Sequence, residues 1–413
     1  MTDQKTAGGV PARLGMMMLL EFSIFGSWFA TLGLVLATHG ADAIIGMAYL
    51  LSAIAAIISP LFMGAIGDRY IAPRNLLALL HALGAVIIAI VPSALDANWH
   101  GLTLLCIFAY MLLFQPTLAL VNSIALMQLG DRQRVFPYVR VAGPLGWVLA
   151  GVAVGAMGLS ASTGIFYVAA GASLLLALYT LTLPYSAPPC AGPSSAAPLS
   201  FGAVVGGDAL VLFKDRRFVV LMVCALLTSI SLGIYNSFSS PFLAALGIGN
   251  VAGVLALGQM SEVVFIVTIP WVLSRKAMKW ALLIGMLMWG VRFALFILAG
   301  RYGAAYAVAG VGLHGICNDY FIVIAAMFIA RITPPPFAAQ AQSWLILMIS
   351  GFGAAIGSAV AGAIYTRAIL PHAGHGAAVW EALWLVPIAL AILTGLIWVL
   401  LFPLPSHPRP MEP

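Results

Sequence analysis

Charge is what this sequence has least of. Its 413 residues include 18 Lys and Arg and 12 Asp and Glu, 7% of the chain, against roughly 25% in an ordinary soluble domain. So few charges cannot clothe a soluble protein of this size, and a soluble single domain is excluded. Cysteine is scarce as well: Cys106, Cys190, Cys224 and Cys317 stand apart, without CxxC or histidine spacing. Neither a disulfide framework nor a metal site is indicated. The phosphate loop GxxxxGKS/T, HExxH and GxSxG are all missing, which removes the usual sequence support for a nucleotide-dependent or hydrolytic enzyme. A mean hydropathy of +1.08 excludes disorder. The net charge of +6 falls in short loops rather than on one folded face, so no nucleic-acid partner is expected.

What the sequence has instead is apolar length, with 63% hydrophobic residues. Runs of about 20 apolar residues, the length that crosses a bilayer, fall near 14–38, 43–66, 75–95, 101–129, 138–158, 163–184, 217–245, 250–273, 279–300, 303–331, 338–369 and 376–402. They predict an all-α integral membrane protein of twelve transmembrane helices. The first run is too long for a signal-peptide core and reads as a retained span. The long polar break, rich in Pro, Ser, Ala and Gly, sits near the midpoint. This divides the chain into a six-helix half at 1–184, a linker at 185–216, a second six-helix half at 217–402 and a tail at 403–413.

Loop charge tests that count, because a missed helix would scramble the alternation of basic loops. Lys5, Arg13, Arg69, Arg74, Arg132, Arg134, Lys214, Arg216, Arg217, Arg275, Lys276, Lys279, Arg331 and Arg409 all fall on one side. Only Arg301 and Arg367 fall on the other. Both termini are therefore expected in the cytoplasm. The exit of span 2, GAIGDRYIAPRNLL (64–77), is weakly echoed by WVLSRKAMKWALL (271–283) at the exit of span 8. Two homologous halves with a substrate between them near mid-bilayer is a known transporter plan.

Five charges remain inside spans: Glu21, Arg140, Glu262, Arg292 and Asp319. Each costs about 2.5 to 3.5 kcal/mol at mid-membrane and needs a partner, a wet cavity or a bound proton. Arg140, in FPYVRVAGPLGW (136–147), reads either as an anchor at a helix end or as a guanidinium aimed into a cavity. Gln259 and Glu262 stand three apart and share a helix face. Span 10 carries GLHGICNDYF (312–321), with His314 and Asn318 four apart and Asp319 next. Asn236 lies beside Tyr235 near an expected helix break at Pro241. Glu21 lies about 12 Å into span 1, either a second proton site or half of a structural pair. Arg292 reads as a fixed counter-charge. Trp28, Trp147 and the other aromatics read as packing residues, with one or two able to stack on a ring. His372 and His375 read as solvated loop residues.

These stretches resemble a known family. FGSWFATLG (25–33), PTLALVNSI (116–124), FPYVR with GPLGW (136–147), LYTLTLP (178–184), QMSEVVFIVTIPWVLSR (259–275), VRFALF (291–296) and ISGFGAAIG (349–357) are similar to the nucleoside:proton symporter family of the major facilitator superfamily, represented by bacterial nucleoside permeases. The resemblance implies that Arg140, Asn236, Gln259, Glu262 and Asp319 face a central cavity, where they bind substrate and couple protons. It implies that Gly64, Asp68 and Arg69 form a conformational latch. It also implies a multi-pass protein of the bacterial inner membrane. Pro144, Gly233, His314 and Asn318 depart from the family pattern, as does Glu21, which alters part of the ligand shell.

The expected activity is proton-coupled import of a small polar solute, a nucleoside or related ring compound, by alternating access. The expected substrate-binding set is Arg140, Asn236, Gln259, Glu262, His314, Asn318 and Asp319; Asp319, Glu262 and Glu21 are the coupling acids. Protons are the coupling ion, no cofactor is required, and a monomer in the bilayer is expected. One rival is a facilitator-type antiporter exporting drugs or metabolites, supported by Gly143-Pro144 but opposed by Trp147 and Arg140. The other is an integral-membrane transferase, which the short loops are too poor in His, Asp and Glu to build.

Overall fold

The computed structural model describes residues 9–69, 71–186, 207–334 and 337–403, with the side chains of 60–69, 207–209 and 339 outside the description. Among the described residues every regular element is helical. The long helices in chain order, leaving aside short ones such as Ala305–Gly312, are α1 (Val10–Thr38), α2 (Ile45–Arg69), α3 (Pro73–Asp96), α4 (His100–Leu129), α5 (Phe136–Ala156) and α6 (Gly164–Leu181). There follow α7 (Arg216–Ala245), α8 (Val251–Arg275), α9 (Met278–Tyr302), α10 (His314–Ile332), α11 (Gln340–His375) and α12 (Ala377–Leu401). Their lengths and apolar composition suit membrane crossing, α4 and α5 being joined through the tight turn Gly130–Val135. Of the predicted linker, residues 187–206 lie outside the described residues, as do residues 404–413 of the tail.

Local chemistry sets the helix ends. Gly130 closes α4 at φ +51, a conformation open to glycine at little cost. At the start of α7 the Asp215 carboxylate accepts the Arg217 backbone N–H at 2.8 Å. The Arg217 side chain on the same carboxylate holds Asp215 below the usual carboxylate range. At the start of α8 the Asn250 side chain accepts from Gly253 N at 2.9 Å. The break expected at Pro241 is absent, since α7 runs unbroken from Arg216 to Ala245. Proline cannot donate to the Ser237 carbonyl, and Gly33 of α1 packs directly against that carbonyl instead. A neighbouring helix thus stabilises the site where the sequence alone predicts unwinding.

Burial is inverted relative to a soluble bundle. On α6, Leu174, Leu178 and Leu181 face outward while Ala170, Ser173, Ala177 and Thr180 are buried. Lipid is as apolar as leucine, so close backbone approach through small residues drives packing here. The same rule joins α1 to α5, where Gly146 lies against the Leu19 carbonyl and its own carbonyl accepts Ser23 Oγ at 3.0 Å.

The packing pattern repeats with a shift of six helices. In the first half α1 packs on α5, α2 on α4 and α3 on α6; in the second α7 packs on α11, α8 on α10 and α9 on α12. Between the halves α2 meets α11 and α5 meets α8, pairs that exchange when the halves are exchanged. α9 and α12 are tied at both ends. Lys279 Nζ donates to Phe402 O at 2.9 Å, and Arg301 pairs with Glu381 at 2.5 Å. The second pair is solvent-exposed and contributes little, so Glu381→Gln is expected to leave the thermal unfolding midpoint unchanged within error.

The starts of α1 and α3 and the end of α4 meet the end of α6 through Arg13, Arg74 and Gln128, which marks one face of the bundle, termed the basic face; the halves meet toward the opposite, far face. There a Cβ on Gly46 would lie 2.6 Å from Gly362 Cα, and one on Gly155 would lie 2.9 Å from Asn250 Cγ. Among the described residues three hydrogen bonds cross between the halves on this side: Leu34 N to Ser240 Oγ at 3.2 Å, Ala252 N to Ser160 Oγ at 3.2 Å, and Tyr365 OH to Asp42 Oδ1 at 2.9 Å. Below this seal the halves part around a cavity.

Candidate functional site

The cavity holds about 770 Å³ and reaches from Phe29 and Leu255, beneath the seal, to Phe136 and Pro137 at the basic-face end of α5. It opens toward the basic face. Each contributing helix presents one stripe at helical spacing: Phe22, Phe25 and Phe29 on α1; Phe136, Arg140, Pro144 and Trp147 on α5; Leu255, Gln259, Glu262 and Ile266 on α8; His314 and Asn318 on α10. The two walls differ in chemistry. The first half supplies aromatic faces, with Trp147 edge-on to Phe25 at 5.0 Å between ring centroids. The second supplies hydrogen-bonding groups, to which α7 adds Tyr235, Asn236 and Ser239.

Glu262 is the centre of the polar wall. Its carboxylate accepts from Gln259 Nε2 and from Asn318 Nδ2 at 2.8 Å, and it pairs with His314 Nε2 at 3.1 Å. Three donors on one carboxylate satisfy a charge that would otherwise be expensive at this depth. Arg140 faces the same space from the other half, its guanidinium 4.8 Å from the Phe22 ring centroid. Among the described residues it makes no ion pair with an acid. It is left able to bind oxygen acceptors of a solute.

Of the predicted substrate-binding residues, the structure brings Arg140, Asn236, Gln259, Glu262, His314 and Asn318 together around the cavity. It does not place Asp319 there. Asp319 is only 5% exposed, outside the cavity lining, and its Oδ2 has no hydrogen-bond partner. It opens a π-helical stretch, Asp319–Val323, within α10, a geometry concentrated at functional positions. Arg292 is also withdrawn: fully buried behind Tyr235, its guanidinium sits 3.4 Å from that ring's centroid. The five buried charges therefore do not share one cavity, since only Arg140 and Glu262 line it.

Glu21 belongs to a separate cluster inside the first half. It is fully buried, bonded to His81 Nε2 at 2.8 Å and to Thr117 Oγ1 at 2.5 Å. The three residues join α1, α3 and α4, and none is exposed. Glu21→Ala would leave His81 and Thr117 facing a void, and a loss of about 3 kcal/mol in stability is expected, to be measured by thermal unfolding in detergent. Gly64, Asp68 and Arg69 fall on the last turns of α2, where their side chains lie outside the described residues. His372 and His375 are exposed and bond only to backbone carbonyls at 3.3 Å.

Two groups escaped the sequence reading. His81 carries no local signal, because one histidine in an apolar run looks like any other. The aromatic wall did carry one: Phe22, Phe25 and Phe29 at spacings of three and four mark a single face that continues onto Trp147. Trp147 is thus a cavity residue, whereas Trp28 is fully buried in packing.

Comparison with known proteins places this geometry in context. A family model described as "Nucleoside H+ symporter" matches residues 9–407. The chain is 33% identical over 371 residues to a putative nucleoside transporter, YegT, of Escherichia coli (strain K12), covering 86% of this chain and 84% of that one. It is 32% identical over 407 residues to the xanthosine permease of the same organism, covering 94% and 95%. The crystal structure of the nucleoside transporter NupG superposes with a TM-score of 0.83 at 26% identity, over 96% of this chain and 99% of that one.

Proposed function

We propose, on the premise that the chain belongs to the nucleoside H+ symporter family, that its two-walled cavity is where nucleoside and proton movements are coupled. The protein is a proton-coupled nucleoside transporter with the major facilitator fold. The observation that carries the site assignment is the division of labour in the cavity. A nucleobase needs a flat apolar face and an edge of hydrogen-bonding partners, and these lie on opposite halves. Phe22, Phe25 and Trp147 offer the stacking face; Asn236, Gln259, Glu262, His314 and Asn318 offer the edge; Arg140 reaches the polar rim of the solute.

Glu262 and Asp319 are the coupling acids in this reading. Glu262 touches the solute space, whereas Asp319 lies one residue beyond Asn318 and has an oxygen without a partner. Proton binding there removes a buried charge and permits the halves to close. The basic face is cytoplasmic, which makes the conformation described here open to the cytoplasm. Gly64, Asp68 and Arg69 act as the latch of that face, the unit is a monomer in the bacterial inner membrane, and no cofactor takes part.

The deciding experiment is uptake into proteoliposomes of purified protein under an inward proton gradient. The panel is purine and pyrimidine nucleosides including xanthosine, free bases, sugars and small carboxylates. Nucleosides are expected to accumulate, and a protonophore to abolish the accumulation. Efflux driven by the same gradient, or uptake indifferent to the protonophore, would overturn the reading in favour of antiport or facilitated diffusion.

A further inference from the structure

Arg292 is an unusual group to find where it is. It is fully buried in α9, its Nε and Nη2 have no hydrogen-bond partner, and among the described residues no carboxylate forms an ion pair with it. An isolated buried cation is costly, yet it sits clamped between the rings of Tyr235 at 3.4 Å and Trp289 at 5.2 Å. Its Nη1 lies 2.9 Å from His314 Nδ1.

That contact fixes more than a distance. A guanidinium has donors only, so Nδ1 must be the acceptor and the His314 proton must reside on Nε2. Nε2 faces Glu262 Oε1 at 3.1 Å and the Asn318 amide nitrogen at 3.0 Å; with Nδ1 the one acceptor of the ring, the amide donates to Glu262 Oε1 instead, at 2.8 Å. While Arg292 donates to Nδ1, there is no position for a second ring proton. His314 is therefore held as a neutral donor toward Glu262, and the carboxylate is held as an acceptor in one rotamer. The stacked rings of Tyr235 and His314, 5.3 Å apart, brace the imidazole.

We propose that Arg292 is a positioning residue for the coupling carboxylate: acting through His314, it fixes the imidazole tautomer that keeps Glu262 oriented as an acceptor toward the cavity. This rests on the proton-coupled reading of Glu262. It predicts that Arg292 affects how tightly nucleoside movement is tied to proton movement, more than nucleoside movement itself. A residue needed only for folding would affect both alike.

Two measurements test it. The first is the ratio of gradient-driven accumulation to counterflow, the latter needing no net proton movement, in proteoliposomes. Arg292→Gln is expected to lower this ratio about tenfold, within the range of coupled neighbours. His314→Phe, which cuts the link, should lower it similarly, and the double variant should be no lower than His314→Phe alone. His314→Gln restores one acceptor and one donor, so its ratio should exceed that of His314→Phe even where both rates drop. Equal losses of accumulation and counterflow in Arg292→Gln, effects that multiply in the double variant, or failure of the glutamine to restore the ratio would overturn the proposal. The second measurement is the ¹⁵N spectrum of histidine-labelled protein. The wild type should show His314 as the Nε2–H tautomer and Arg292→Gln or Arg292→Lys a mixture; an imidazolium or a mixture in the wild type would overturn the proposal even if the transported solute proved to be no nucleoside.

Discussion

Asp319→Asn is expected to yield a transporter that equilibrates nucleoside but cannot concentrate it. One proton moving with a neutral solute across 100 mV contributes about 2.3 kcal/mol, which corresponds to a concentration ratio of about 50-fold. The variant should settle near a ratio of one, because an amide of the same shape cannot cycle a proton. The physical basis is the contrast between the two acids of α8 and α10. Glu262 has three donors around it, whereas Asp319 has an oxygen with none and is only 5% exposed. For an unpartnered carboxyl, gain or loss of a proton alters the energy of the whole conformation most. The measurement is steady-state accumulation of labelled nucleoside with an imposed potential, beside counterflow as a check on folding. Wild-type accumulation by the variant would remove Asp319 from the coupling scheme.

Gly46→Leu is expected to abolish net uptake for a different reason. A Cβ at residue 46 would already lie 2.6 Å from Gly362 Cα, and a leucine needs far more room. The clash exists only when the far face is sealed. An overpacking cost of about 1–3 kcal/mol against one of two states moves the equilibrium between them by about 5–150-fold. The variant should fold, unfold thermally near the wild type, and remain open at the far face. Uptake at the wild-type rate would mean that the helices can separate at this point without opening the seal.

The twelve spans were legible because bilayer thickness imposes a length that few other pressures imitate, and basic loops gave an independent count. The interior charges were legible for the same reason, since each is costly enough to need a cause. What each charge touches was not. Asn318 and Asp319 are adjacent, and about 100° of helical rotation separates a residue lining the cavity from one behind it; no pattern in the sequence fixes that rotation. His81 pairs with Glu21 across 60 positions, and only the packing of α1 against its neighbours brings them together. The expected break at Pro241 failed because the sequence does not record the glycine of another helix lying against the freed carbonyl.

The far-face seal is made mainly of neutral contacts, glycine on glycine and backbone N–H on serine hydroxyls, with Asp42 the one carboxylate in its three crossing hydrogen bonds. Contacts of that kind are not screened by dissolved ions. A change of salt concentration should therefore leave the opening and closing of this gate nearly untouched.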